Sequence, residues 1–333
     1  MNKKYKCRFL NHGLFISFDH FRHCHLCVHA PDSRCSNRIV DYNGPKDKID
    51  WNLIFETKEK LAKQMEIGNF PDFCKGCSWI EEIEEQNFIE DNKRYIDIVW
   101  IAHFNHCNSK CTYCYINEQD FLSKGYDLVP LFKTMFEKDL YDIENGDISF
   151  GFGEPTLLPA FDKLIKLLKK NGIKKFAIYT NGIKYSNTIG DALASSDTEM
   201  YIVVSMDSGT RETYKKIKKV DKFNDVCKNI KKYVQKATKY RADQFEVKFI
   251  IVPGINDTID EVKSWYDLCV NKLGVKALSF DIEEHWYIEN KDNIPAHIYD
   301  LCKYVKNQSE IDKIKFKFFD RAALLDIESF SYS

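Results

Sequence analysis

The 333 residues carry 49 Lys and Arg against 50 Asp and Glu, a net charge of −1, with 30% charged and 44% hydrophobic side chains. That balance argues against the basic surface of a nucleic-acid binder, and no apolar run approaches the roughly 18 residues that would span a bilayer, so neither nucleic acid nor membrane is expected as a partner. The basic opening, Met1-Asn-Lys-Lys-Tyr-Lys-Cys7, runs into Asn11, His12 and Asp19, which interrupt the apolar stretch that a secretory leader needs; a cytoplasmic location is expected.

Taken from the N-terminus, the first feature is thiol crowding. Of 12 cysteines, nine precede residue 115, and only Cys227, Cys269 and Cys302 follow, set among apolar residues on expected helices as core thiols. In a reducing compartment such clustering points to metal rather than disulfides. Cys24-His-Leu-Cys27 and Cys74-Lys-Gly-Cys77 are CxxC pairs roughly fifty residues apart, joined by Cys7 and Cys35. This spacing suits either an auxiliary [4Fe–4S] cluster or a four-thiolate zinc site. Cys7, Cys24, Cys74 and Cys77 are the favoured ligands, with Cys27 as the competitor. The interleaved His12, His20, His23, His25 and His29 read as solvent-facing or capping. Acidic Ile80–Glu90, with apolar residues at helical spacing, reads as an amphipathic helix joining a cysteine-rich module of residues 1–90 to a second domain of residues 91–333.

The second domain alternates short β-rich segments, at about 95–102, 146–150, 175–180, 200–205, 245–252 and 276–281, with helical patterns. Repeated βα units of this kind build an α/β fold around a parallel sheet. Phe161, Leu164, Ile165 and Leu168 recur at helical spacing and stop at Asn171-Gly172, a C-terminal cap. Thr258-Ile-Asp-Glu261 is a capping box, and Ile314–Phe319 reads as one more strand. Ligands in parallel α/β folds gather at the carboxyl ends of the strands. There, after the first strand, stands Cys107-Asn-Ser-Lys-Cys111-Thr-Tyr-Cys114. Three thiolates hold three irons of a cubane, whereas a complete protein-bound [4Fe–4S] cluster takes four cysteines, so one iron stays open to a small molecule.

This triplet and its setting resemble the radical S-adenosylmethionine (radical SAM) superfamily. Gly151-Phe-Gly-Glu-Pro155 resembles the family's GGEP segment, with Phe152 in place of the first glycine. Phe176–Gly182 resembles the TNG ending of the third strand, Tyr201–Ser208 the fourth-strand segment that contacts the cofactor, and Val247–Asn256 the fifth strand with its adenine-side turn. The resemblance implies a partial (βα)6 TIM-like barrel, a [4Fe–4S] cluster on Cys107, Cys111 and Cys114, and S-adenosyl-L-methionine on the open iron. It further implies that Tyr113 and Ile255 lie on the adenine side and that Gly153, Glu154 and Pro155 lie around the methionyl amino group. Ser205 and Asp207 are implied at the ribose, with Thr180 and Asn181 beside them. In the implied mechanism, reductive cleavage of the cofactor yields a 5′-deoxyadenosyl radical, which takes hydrogen from a peptide, sugar or small-metabolite substrate. A flavodoxin- or ferredoxin-type protein would donate the electron. No catalytic acid or base can be assigned. Many members carry an auxiliary cluster on a SPASM or twitch extension, usually C-terminal; here the cysteine-rich extension comes first. The alternatives are a non-catalytic iron–sulfur electron-transfer protein and a zinc-binding scaffold.

Overall fold

The computed structural model describes residues 3–24, 37–75, 77, 79–89, 93–118, 121–196, 199–237, 242–319, 321–325 and 327. Packing divides the chain into two compact units.

Unit 1 comprises Met1–His106, Leu122–Gly153 and Leu157–Phe176. It begins with β1 (Lys3–Lys6), α1 (Arg8–His12), β2 (Gly13–Ile16), β3 (His20–Arg22), β4 (Arg38–Asp41) and α2 (Trp51–Glu66). Asp50 caps α2 by accepting the Leu53 N–H at 3.1 Å. Next come β5 (Glu81–Glu84), β6 (Ile98–Ile101), α3 (Val129–Glu137), β7 (Asp147–Phe150) and α4 (Phe161–Lys170). The sheet order in this unit is β7-β6-β2-β3-β4. β2 and β7 flank β6 in parallel, whereas β3 and β4 turn antiparallel. The α4 stripe Phe161, Leu164, Ile165 and Leu168 is fully buried, each side chain contributing about 1.5–3 kcal/mol of transfer energy.

One expectation fails here. Residues 81–84 form a strand, β5, paired antiparallel with β1, and not a connecting helix. On a helix, Glu81 and Glu85 would stand at i and i+4 and repel. On the strand, Lys3 meets Glu82 and Lys6 lies 3.4 Å from Glu81, so the basic strand neutralises the acidic one. The local apolar spacing was misleading because the decisive partner lies nearly eighty residues upstream.

Unit 2 comprises Cys107–Phe121, Glu154–Thr156 and Ala177–Ser333. It holds the last four residues of β8 (Lys175–Thr180), then α5 (Asn187–Leu193), β9 (Glu199–Ser205), α6 (Arg211–Lys218), α7 (Phe223–Lys236), β10 (Phe245–Ile251), α8 (Ile259–Asp267), β11 (Ala277–Ile282), α9 (Glu284–Asn290), α10 (Ala296–Ile311) and β12 (Lys315–Phe318). β9 through β12 pair parallel in chain order. The six strands β6 to β11, each followed by helix, match the expected βα units, and β12 is the extra strand expected from Ile314–Phe319. Thr258 caps α8 through the Glu261 N–H. The Glu261 carboxylate, however, does not close the expected box: it receives the N–H groups of Gly209 and Thr210 and the Thr213 hydroxyl. Cys269 and Cys302 are buried core thiols as expected, and Cys227 is partly buried. Among the described residues no helix is long and apolar enough to cross a membrane.

Candidate active site at the strand ends

The cysteine loop of unit 2 is tied down by backbone. Lys110 and Thr112 donate their N–H groups to the carbonyls of Lys218 and Ile217 at 3.0 and 2.9 Å. Those are among the last carbonyls of α6, which have no partner within their own helix. Inside the loop, Asn117 donates to the Cys111 carbonyl at 2.7 Å and the Cys114 N–H reaches the same oxygen at 3.1 Å.

Donors also point at the sulfurs. Cys107 Sγ receives the Ser109 N–H and Asn181 Nδ2, both at 3.4 Å, and Ser109 Oγ lies 3.2 Å from Cys111 Sγ. Such donors suit thiolates that carry metal. Burial raises the Cys107 thiol and pushes Cys114 up to about 11, so the uncharged thiol is the resting form without metal. Among the described residues no three His, Cys, Asp or Glu side chains converge on one ion. A cubane asks less, since each of its corners takes a single thiolate.

Glu154 is buried, and burial raises its carboxyl, offset by donors. Oε1 accepts from Thr156 Oγ1 and Thr180 Oγ1, each at 2.7 Å, and from the Thr156 N–H at 3.2 Å; Oε2 accepts the Asn181 N–H at 2.8 Å. Glu154 therefore fixes the end of β8, and Asn181 in turn reaches Cys107 and, at 2.7 Å, Asn108. One lone pair of Oε2 stays available for an amino group. Pro155 opens a buried 3₁₀ turn. Gly153, described with unit 1, has φ +50°, and a Cβ there would stand 2.6 Å from the Phe104 ring and 2.7 Å from the His106 carbonyl oxygen. Its neighbour Phe152 also adopts positive φ, +64°, with its ring edge-on to Phe15 at 6.0 Å.

The expectation that Asp207 faces a ribose meets a different arrangement. Its side chain is wholly buried and both oxygens are occupied: Oδ2 by Lys218 and by the Tyr113 hydroxyl at 2.6 Å, Oδ1 by the Ile250 N–H at 2.9 Å. Lys218 also donates to the Tyr113 hydroxyl at 2.9 Å. Burial lowers the Lys218 ammonium, but Asp207, Cys111 and Tyr214 together outweigh that and the net shift is upward. Burial and Asp207 together raise the Tyr113 phenol well above its usual range. Asn256 locks the next turn, accepting the Val252 N–H at 2.6 Å and donating to the carbonyls of Ile250 at 2.8 Å and Asp207 at 2.9 Å. Sequence reading missed Lys218 and Asn256, and a lysine-rich helix end offers no local sign of which lysine is buried. Tyr113 and Ile255, both expected on the adenine side, do share one apolar cluster with Ile217, Ile250 and Val252. Ser205 is half-buried at the end of β9.

In unit 1, Cys7 and Cys74 are buried together with Leu10 and Met65, and Cys24 and Cys77 both act electrostatically on Cys7. Cys27, Cys35, His25 and His29 lie outside the described residues.

A parallel-stranded α/β fold with three cysteines on the loop after β6 has the layout of a partial-barrel protein. Residues 101–269 match the model of the Radical SAM superfamily, and the chain belongs to that superfamily, a family of enzymes that implies a [4Fe–4S] cluster and S-adenosylmethionine. It is 27% identical over 176 residues to GTP 3′,8-cyclase of Chlorobaculum tepidum, a match covering 53% of this chain and 50% of that protein. It is 30% identical over 207 residues to an uncharacterized protein of Methanocaldococcus jannaschii, covering 62% of each. The chain thus spans between half and two thirds of these relatives. Among solved structures, Streptococcus suis SuiB bound to S-adenosylmethionine aligns with a TM-score of 0.52 at 14% identity, covering 86% of this chain and 60% of that one. Native anSMEcpe with bound AdoMet aligns at 0.51 and 18%, covering 66% and 63%. These likenesses agree with the expected partial TIM-like barrel.

Proposed function

We propose that Cys107, Cys111 and Cys114 hold the [4Fe–4S] cluster and that S-adenosylmethionine binds its open iron, with the adenine on the Tyr113–Ile255 cluster and the amino group toward Glu154. The observation that carries this reading is the set of donors on the loop sulfurs, Ser109 and Asn181, continued through Asn181 to Glu154. When bound, cluster and cofactor supply reductive carbon–sulfur cleavage and a 5′-deoxyadenosyl radical that takes hydrogen from substrate. The chain's own residues bind and orient. Glu154 and Thr180 hold the β8 end, Pro155 sets the adjoining turn, Ser205 offers a hydroxyl to the ribose, and Asp207 and Lys218 brace Tyr113. The Asp207 carboxylate acts by positioning, since its oxygens are already spent.

A second cluster on Cys7, Cys24, Cys74 and Cys77 is part of this proposal. Lys58, 2% exposed, donates to the carbonyls of Leu10, at 3.0 Å, and Gly13. No carboxylate stands within ion-pair distance of it among the described residues; burial lowers it to about 7, while Cys24, Cys7 and Asp97 pull the other way. A negatively charged metal–thiolate cluster beside it would favour its charged form. We further propose residues 1–90 as the module that carries it and residues 91–333 as the radical domain, with a flavodoxin- or ferredoxin-type donor in the cell.

The test is anaerobic reconstitution with iron and sulfide, then dithionite and S-adenosylmethionine, with and without GTP, which the cyclase relatives make the first substrate to try. Formation of 5′-deoxyadenosine by the intact chain but not by a Cys107→Ala, Cys111→Ala, Cys114→Ala variant supports the reading, and iron retained by that variant supports the second cluster. A loaded, reducible protein that yields no 5′-deoxyadenosine under either condition favours an electron-transfer role instead.

A further inference from the structure

The face of the unit 2 sheet turned away from its helices carries an ordered row of polar groups. Phe245 packs on Tyr233 of α7 and Phe249 on Trp265 of α8, so alternation places Glu246, Lys248 and Ile250 on the opposite face. Lys248 is in direct register with Ser205 on β9 and with Ser279 on β11, and Ser279 with Lys317 on β12. The row reads Ser205, Lys248, Ser279, Lys317, on strands about 4.8 Å apart. It begins at the residue assigned to the cofactor ribose.

Part of this row is already engaged. Lys317 bonds Tyr201 and stands 3.3 Å from Glu246. Lys248 lies 3.4 Å from Asp281 and 4.3 Å from the centre of the Phe319 ring. Asp281 is in turn occupied by the N–H groups of Ile282 and Arg321, at 2.9 and 3.0 Å. The remainder is unspent. Ser279 is 0% exposed and its hydroxyl has no hydrogen-bond partner among the described residues, and Glu246 Oε1 has none either. An ammonium with three donors and a single long bond thus belongs to the residue in register with an unused buried hydroxyl.

We propose that Lys248 and Ser279 seat an oxyanion of the substrate, a phosphoryl or carboxylate group, while Glu246 Oε1, one layer toward the strand start, accepts an N–H or O–H of the same molecule. The inference rests on the proposed radical chemistry only in taking this face of the sheet as the reacting side. Donors on two adjacent strands, in register, favour an anionic acceptor, because hydrogen bonds to a charged acceptor are roughly twice as strong as those to a neutral one.

The test is calorimetric titration of anaerobically reconstituted protein with inorganic pyrophosphate and, separately, glutarate, on wild type, Lys248→Met and Ser279→Ala, with thermal melts as the folding control. Wild type binds at least one probe; Lys248→Met weakens it about tenfold or more and Ser279→Ala about three- to tenfold. Preference for pyrophosphate assigns a phosphoryl source and preference for glutarate a carboxylate source. Binding of neither, or affinity unchanged in Ser279→Ala, overturns the seat; should Lys248→Met fail to fold, Ser279→Ala alone decides. The same preparations are assayed for 5′-deoxyadenosine. Its formation without probe binding refutes the seat alone, and probe binding without its formation refutes the radical reading alone.

Discussion

Replacing Lys218 by Met removes the cation from a fully buried ion pair while keeping most of the aliphatic volume. Lys218 and Asp207 have side-chain exposures of 1% and 0%, so solvent cannot take over the lost charge. Asp207 would keep only the Tyr113 hydroxyl and the Ile250 N–H, neither of which carries charge. Breaking such a pair from one side costs about 3–5 kcal/mol, and Asp207→Asn, which strands the ammonium instead, should cost a similar amount. The double variant leaves neither charge alone and should lose far less than the sum, with a coupling of about 2 kcal/mol. Urea unfolding of the reduced, metal-free protein followed by circular dichroism measures all three. The reasoning is refuted if the two single costs add to within about 0.5 kcal/mol or if Lys218→Met costs less than about 1 kcal/mol.

Three further outcomes are expected. His103 is wholly buried, shares its Nε2 hydrogen with the Tyr126 carbonyl at 3.0 Å, and burial lowers it to about 4. Between that value and the ordinary 6.5 the unfolded chain binds more protons, so stability should fall as pH drops from 6.5 to 4, by about 3 kcal/mol in total. His103→Gln should flatten that slope in urea titrations, and an unchanged slope would clear His103 of the effect. Gly153→Ala should cost about 2–4 kcal/mol, from positive φ and from contact with Phe104 and the His106 carbonyl; a melt within 1 °C of wild type would contradict this. Phe152→Gly should stay within about 1 kcal/mol, because relief of the left-handed backbone offsets the lost Phe15 contact.

The repeat of strand and helix was legible because period-2 and period-3.6 patterns are local, and the cysteine triplet because its ligands lie within one loop. What sequence did not yield depends on register or distant pairing. Asp207 was visible as a carboxylate at a strand end, but only the placement of α6 spends it on Lys218. The Lys248–Ser279 neighbourhood exists only once β10 and β11 align. β5 went astray because its three glutamates look helical until β1 supplies the lysines, and β2, β3 and β4, at three or four residues each, are too short to show a period.

The parallel pairing of Gly13–Ile16 with Ile98–Ile101 bears on how the chain can be cut. A fragment starting at residue 91 would lose β2 and leave one side of β6 with bare amide and carbonyl groups beside Val99 and Ile101, both buried in the intact chain. Unprotected strand edges recruit other strands. Such a fragment should therefore self-associate, so that the opening residues serve as an internal guard against aggregation, whatever metal their cysteines hold.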